Sequence, residues 1–191
     1  MRYALLGDLH SSVEDTEAVL KHIEYCAPDA EIMGLGDLYE CSIRRRKAAT
    51  TRGISMEKAA QMPEKFASLL TFPSVRGNQE ERIMLVTGCH DFAHLPEELT
   101  IDGAVLMHGH QWKWAKGWLP VLPKTDPPLI FFGHSHTAGL YRKGKPLPFE
   151  YGKPIFLKKK RYGINAGAVW QSREWVLYDS SARTVTFMKA L

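Results

Sequence analysis

Short apolar runs that end in glycine and a metal-ligating residue type constrain this chain more than any other feature. ALLG leads to Asp8 and His10, IMGLG to Asp37, SVRG to Asn78, AVLM to His108 and His110, and IFFG to His134 and His136. Such runs predict buried strands. Helical patterns lie between several of them, and a run of strands closes the chain, so the fold expected is α/β with more than one sheet. In open α/β sheets the carboxyl ends of the strands form the crevice that receives ligands. Five strand ends therefore deliver Asp, His and Asn to one rim. In an extended chain residues i and i+2 share a face, roughly 6–7 Å apart. Asp8 and His10 can thus converge on one cation, and His134 and His136 can do the same or serve two neighbouring ones.

A set of carboxylates, imidazoles and one amide suits borderline divalent ions such as Mn, Fe or Zn better than Mg or Ca. Two ions about 3.5–4 Å apart need a bridging carboxylate. Asp37, alone after its strand, is the natural candidate.

The remaining sequence sets bounds. At 191 residues, 45% apolar and 24% charged, the chain is expected to form a single domain over residues 1–191. No apolar run approaches ~18 residues, so no membrane span is expected. The apolar stretch Tyr3 to Leu6 is followed at once by Asp8, Glu14 and Asp15, unlike a secretory signal. Cys26, Cys41 and Cys89 are odd in number and lack CxxC spacing, which points to the cytoplasm. The net charge of +4 suits an anionic substrate without establishing one. The basic runs Arg44 to Lys47 and Lys158 to Arg161 read as solvated faces, and nucleic acid is not the expected partner. Self-association stays open.

Strands are expected over residues 2–7, 30–36, 103–109 and within FPSVRG, LIFFG and RYGIN, with a terminal hairpin in REWVLYD and RTVTFMKA. Ser11 or Ser12 can cap a helix that ends before Pro28. Pro63 is expected at the first position of a helix reaching Leu70, and Asn78 as the cap of one reaching about Val86. Residues 38–62 read as a loop with one or two short helices, and the stretch after His110 as an irregular insert rich in Trp and Pro.

The ordered motifs GDLH, GD, GN, HGH and GHSH, between residues 7 and 136, resemble those of the calcineurin-like metallophosphoesterase superfamily, most of all its small single-domain bacterial and archaeal phosphodiesterase branch. INAGAVW, residues 164–170, is similar to that branch's short Asn-Pro-Gly-Ser-type segment. The resemblance implies a four-layer α/β/β/α sandwich with two mixed β-sheets and a dinuclear centre at its rim. It assigns Asp8, His10 and His136 to one ion, and Asn78, His108 and His134 to the other, with Asp37 between them. Two divalent ions are implied, Mn first, with Fe, Zn or Ni as alternatives. The activity implied is hydrolysis of a phosphodiester or phosphomonoester by a hydroxide generated at the ions, with Asn78 helping to hold the phosphoryl oxygens. A small phosphate ester or nucleotide-like molecule is the expected substrate.

The chain departs from the superfamily at GNQE, where Gln79 replaces a common histidine that contacts phosphate. Glutamine supplies no proton at neutral pH. His110 is the candidate acid, or else a residue that holds a ligand or water. Glu80 is expected to orient a ligand or cap its helix, while Tyr39 and Glu40 sit at the rim without an assigned use. Trp112, Trp114 and Trp118 are expected to pack among themselves as a lid or subunit contact rather than stack a nucleobase. Two other functions fit the same motifs: a dinucleoside polyphosphate pyrophosphohydrolase, for which the arginine cluster could grip extra phosphates, and a non-catalytic scaffold using the same fold, which metal content would separate from an enzyme.

Overall fold

The computed structural model describes residues 1–191. Two mixed sheets face each other, as expected for the α/β class. The first runs in the order Ile155–Phe156, Thr184–Lys189, Glu174–Asp179, Arg2–Leu6, Glu31–Gly34. Only its Arg2–Leu6 and Glu31–Gly34 pair is parallel. The second runs Lys145–Leu147, Gly139–Arg142, Tyr162–Asn165, Leu129–Phe132, Ala104–Met107, Glu98–Ile101. Its central strand Leu129–Phe132 is parallel to both neighbours, and its outer pairs are antiparallel.

The period-two alternation of strand side chains builds the layers. Tyr3 and Leu5 point inward, with Leu106, Phe131, Ile164, Val176 and Phe187, into the core between the sheets. Ala4, Leu6 and Trp175 point the other way, into a core shared with the helices. Each Leu, Ile, Val or Phe buried this way contributes about 1.5–3 kcal/mol. Helix Val13–Cys26 presents Val19 and Ile23 to that outer core and is capped by Ser12, whose side chain accepts from Asp15 N. Helix Asn78–Thr87 presents Ile83 and Val86 and ends at Gly88, whose left-handed φ of 79° lets its N–H return to Met84 O.

The opposite outer face, formed by Ile130, Phe132 and Tyr141, is covered by Trp112, Trp114, Leu119 and Leu122 of the insert. Trp112 and Trp114 meet Phe132 edge-on at ring separations of 5.3 and 5.9 Å. The insert itself carries only two-residue strands, Trp114–Ala115 and Leu119–Pro120. No helix is long and apolar enough to cross a membrane.

Several local expectations need correction. The strand in FPSVRG reduces to a single bridge between Gly34 and Ser74. Pro73 has no N–H to extend the pairing, and Arg76 N already turns away to Pro96 O. Asn78 is not a cap but the first helical residue, because Glu80 reaches back to Gly77 N at 2.8 Å and makes Gly77 the cap. Pro63 occupies the cap position of helix Glu64–Leu69, one residue before the position expected. Residues 38–62 do hold two short helices, Arg45–Ala48 and Met56–Ala59, but also a ribbon pairing Glu40–Cys41 with Ala60–Gln61.

Candidate metal centre

At three of the five strand ends the chain leaves through left-handed backbone. Asp8, His10, Asp37, His134 and His136 have φ of 53°, 46°, 51°, 70° and 56°. For residues other than glycine this costs about 1–3 kcal/mol each and persists only where surrounding bonds enforce it. They do so here. Leu9 N and His10 N both donate to Asp37 O, at 2.9 and 3.1 Å, so the first two strand ends are tied together. Gly133 N donates to His108 O at 3.0 Å, and His134 N to Asp8 Oδ2 at 2.9 Å, which ties the second sheet's rim to the first.

Two groups of side chains result. In one, Asp8, His10 and His136 converge: the two Nε2 atoms lie 3.1 Å apart, and Asp8 Oδ1 lies 3.9 Å from that of His10 and 3.4 Å from that of His136. In the other, His108 Nε2 is 3.2 Å from Asp37 Oδ2 and 3.3 Å from His134 Nδ1. Asn78 Oδ1 joins this second group, 3.2 Å from His108 Nε2. His110 belongs to neither. Its Nε2 pairs with Glu81 at 3.2 Å, its ring stands 5.3 Å from that of His108, and its Nδ1 is buried without a partner.

Supporting residues fix which atoms face the site. Glu40 meets His10 Nδ1 at 2.5 Å, and Leu35 O accepts from His108 Nδ1 at 2.8 Å. Both imidazoles therefore carry a proton on Nδ1 and turn Nε2 inward, the arrangement a metal-binding histidine needs. Nothing in the sequence marked Glu40 for this role. Glu80, fully buried, accepts from Asp37 N, Tyr39 N and Gly77 N at 3.0, 3.0 and 2.8 Å, so it both caps its helix and clamps the loop carrying Asp37. Gln79 Oε1 accepts from Cys41 N and Arg82 Nη1, each at 3.2 Å. Asn165 Nδ2 donates to Gly133 O and Ser135 Oγ, both at 2.8 Å, and so braces the GHSH turn. Trp170, from the INAGAVW segment, stands 5.4 Å from the His10 ring and 5.9 Å from that of His136. Trp118 remains exposed, 6.0 Å from His134.

The electrostatics are those of a cation site. Burial pushes the Asp8 carboxyl up, but the nearby imidazoles of His10 and His136 and the charge of His108 prevail and hold it below the usual range. Asp37 is likewise lowered, burial being outweighed chiefly by His108. Burial disfavours charge on His10 and His108 too, yet Asp8 and Glu40 raise His10 to about 10, and Asp37 raises His108 to about 9. Burial and the neighbouring His108 charge push His134 down to about 4. Burial and the Asp37 charge push Glu80 up to about 7, against the N–H groups that favour its charged form. Asp8 Oδ1 is buried with no hydrogen-bond partner. An orphaned carboxylate oxygen of this kind is what a bound cation would satisfy, and the two donor sets fit one ion each.

The model of the calcineurin-like phosphoesterase superfamily domain matches residues 1–178. No curated protein matches the chain. Among solved structures, a metallophosphoesterase from Sphaerobacter thermophilus is 20% identical, with a TM-score of 0.66, over 100% of this chain and 89% of that one. A candidate diadenosine tetraphosphatase is 14% identical, with a TM-score of 0.53, over 100% of this chain and 94% of that one. The phosphoesterase YfcE from E. coli is 21% identical, with a TM-score of 0.49, over 94% of this chain and 88% of that one. At these identities the likeness to the first two bears on the fold alone.

Proposed function

Because the chain belongs to the calcineurin-like phosphoesterase superfamily, we propose that it hydrolyses a phosphodiester or phosphomonoester with two divalent cations, Mn foremost. Asp8, His10 and His136 hold one, Asn78, His108 and His134 the other, and Asp37 stands between them. The observation that carries this reading is the meeting of two donor groups at one rim, each with a histidine whose Nδ1 is occupied and whose Nε2 faces inward. When bound, the cations supply Lewis-acid charge and make water acidic enough to act as a nucleophile near neutral pH.

The protein's own groups do the rest. Asn78 turns Oδ1 toward the second group, which leaves its amide Nδ2 to donate to a phosphoryl oxygen. His110, its Nε2 held by Glu81, keeps Nδ1 to exchange a proton with the leaving group. Trp170 stands beside the first group and Trp118 beside the second. The free thiols of Cys26, Cys41 and Cys89 support a cytoplasmic setting.

Stripping the cations should abolish turnover of bis-p-nitrophenyl phosphate, and re-adding Mn should restore it. Absence of metal-dependent turnover with Mn, Ni, Zn and Mg alike would overturn the reading. Loading should also acidify a weakly buffered solution. His10 and His108 titrate at about 10 and about 9, so both are protonated at pH 7 in the metal-free protein. Coordination requires them neutral, so about two protons per chain should be released. A pH electrode during Mn titration reads this directly, and release of none would count against these two histidines as ligands.

A further inference from the structure

Positive charge is segregated along this chain. Residues 113–161 hold eleven of the 25 Lys and Arg but only two of the 21 Asp and Glu, so acids outnumber bases in the remainder. Strand polarity gathers most of that charge at the end of the sandwich opposite the metal rim. Tyr162–Asn165 runs parallel to Leu129–Phe132, which leads to His134, so Arg161 and the preceding Lys158, Lys159 and Lys160 stand at the far end. Gly139–Arg142 runs antiparallel to Tyr162–Asn165 and turns there through Lys143 and Gly144, with φ of 51° and 70°, into Lys145. Arg161 Nη1 donates to Pro123 O at 3.2 Å, which brings Lys124 to the same end. All seven of these Lys and Arg are exposed, and none is in an ion pair. Asp126 is the one acid in the connections that carry them. Two further acids at that end are engaged elsewhere: Asp102 accepts from Ser180 Oγ at 3.2 Å, and Asp179 from Ala182 N at 2.8 Å.

Apolar surface is exposed among these charges. Phe156 pairs with Thr184, Thr184 with Asp179, and Asp179 with Arg2, the first residue of the strand that leads to Asp8. Phe156 therefore stands at the same end, and it is 65% exposed. Val121, 54% exposed, lines a cavity of about 360 Å³ together with Leu119 and Leu122 of the insert and with Lys143 and Arg161. That volume lies in the range of small-molecule sites. The lining joins aliphatic side chains to two cations and includes no acid and no aromatic ring. It fits an amphiphile, in which an anionic group adjoins hydrocarbon. A nucleobase would find no ring there to stack on.

We propose that this end docks on an anionic lipid bilayer. The cavity receives a phospholipid phosphate between Lys143 and Arg161, Lys158, Lys159 and Lys160 lie along neighbouring headgroups, and Phe156 and Val121 enter the apolar boundary. Attachment of this kind draws on buried apolar area and on attraction to anionic lipid together. The metal rim lies at the other end of the same strands, so docking turns it toward solution and away from the lipids. The proposal does not rest on the phosphoesterase reading.

The test is co-sedimentation of the intact protein with vesicles of phosphatidylcholine and phosphatidylglycerol in equal parts, and with vesicles of phosphatidylcholine alone. Wild type should bind the first and not the second. A cation close to such a surface is worth about fivefold in binding, so Lys158→Gln, Lys159→Gln and Lys160→Gln together should lower partitioning about a hundredfold. Arg44→Gln, Arg45→Gln and Arg46→Gln together remove the same charge from the rim side, where Arg45 shares a cavity with Asn78 and His134. They should change partitioning no more than about twofold, since salt screens charges more than about 10 Å from the surface. Phe156→Ser should lower it about tenfold. All these side chains are exposed, so the variants should melt with wild type. Equal falls in the two triple variants overturn the proposal, because they would mark diffuse attraction by net charge. A Phe156→Ser protein that partitions as wild type also overturns it, and so does equal binding of wild type to both kinds of vesicle. Wild type that ignores the anionic vesicles overturns it outright, and binding of polyuridylate in that case would assign this end to nucleic acid.

Discussion

Asp37→Asn is expected to cut turnover of bis-p-nitrophenyl phosphate by roughly 10²–10³-fold and to lower bound Mn below the wild-type content. Asp37 is 2% exposed, with Oδ1 accepting from Gln79 N at 2.8 Å and Oδ2 3.2 Å from His108 Nε2. Asparagine has the same shape and can still accept from Gln79 N, so the loop is retained. What disappears is a full negative charge at the place where two cations would repel each other. Elemental analysis and steady-state kinetics read the two effects, and wild-type turnover would remove Asp37 from the centre.

The same substitution has a signature without metal. Against the effect of burial, the Asp37 charge lifts His108 to about 9, above the ~6.5 of an unfolded histidine. The stabilisation from that pair is fully present below the unfolded value and fades as pH rises through 9. Metal-free wild type should therefore lose melting temperature between pH 7 and pH 10, and metal-free Asp37→Asn should lose less over the same interval. Parallel curves would show that the pair contributes nothing.

Gly77→Ala should be the most damaging methyl group that can be added near the site. Gly77 has an ordinary φ of −101°, so backbone freedom is not the reason. A Cβ there would stand closer than 3.0 Å to Asp37 Oδ1, to its backbone nitrogen and to its Cγ. None of these can retreat, because Glu80 clamps Asp37 N and Gly77 N together. Overpacking against fixed atoms costs about 3 kcal/mol, roughly 10 °C of melting temperature for a domain of this size. Activity should fall further than stability alone accounts for, since Asp37 must move. Gly88→Ala makes the contrast. It meets nothing within 4 Å, its only handicap is a φ of 79°, and it should cost about 1 kcal/mol. Similar melting temperatures for the two variants would contradict the crowding at Gly77.

What the sequence made legible, and what it hid, follows from which signals are local. Strand Leu129–Phe132 is read easily because four apolar residues meet a glycine, and both of its faces are buried. The strands Glu98–Ile101 and Gly139–Arg142 are not, since the first alternates exposed with half-buried residues and the second begins at a glycine. Two-residue strands such as Glu40–Cys41 carry no periodicity at all and exist because distant segments fix them. The residues around the centre divide in the same way. Asp8, His10, Asp37, His108, His134 and His136 each follow a recognisable strand end, Asn78 follows an apolar run that pairs only through one bridge, and the structure brings all seven to one rim. Glu40 acts through a partner 30 residues away whose position only the fold reveals. The left-handed turns at Asp8, His10 and Asp37 were equally hidden, because each puts a non-glycine residue where local preference would place glycine.

Each donor group draws on both sheets: Asp8 and His10 with His136, and Asp37 with His108 and His134. An ion in either group would therefore act as a rivet through the sandwich, fastening one layer's edge to the other's. Separation of the layers should begin at this margin once the rivets are drawn, while the far end, where Tyr3 stacks on Tyr178 and the Tyr178 hydroxyl donates to Asp102 O, opens last.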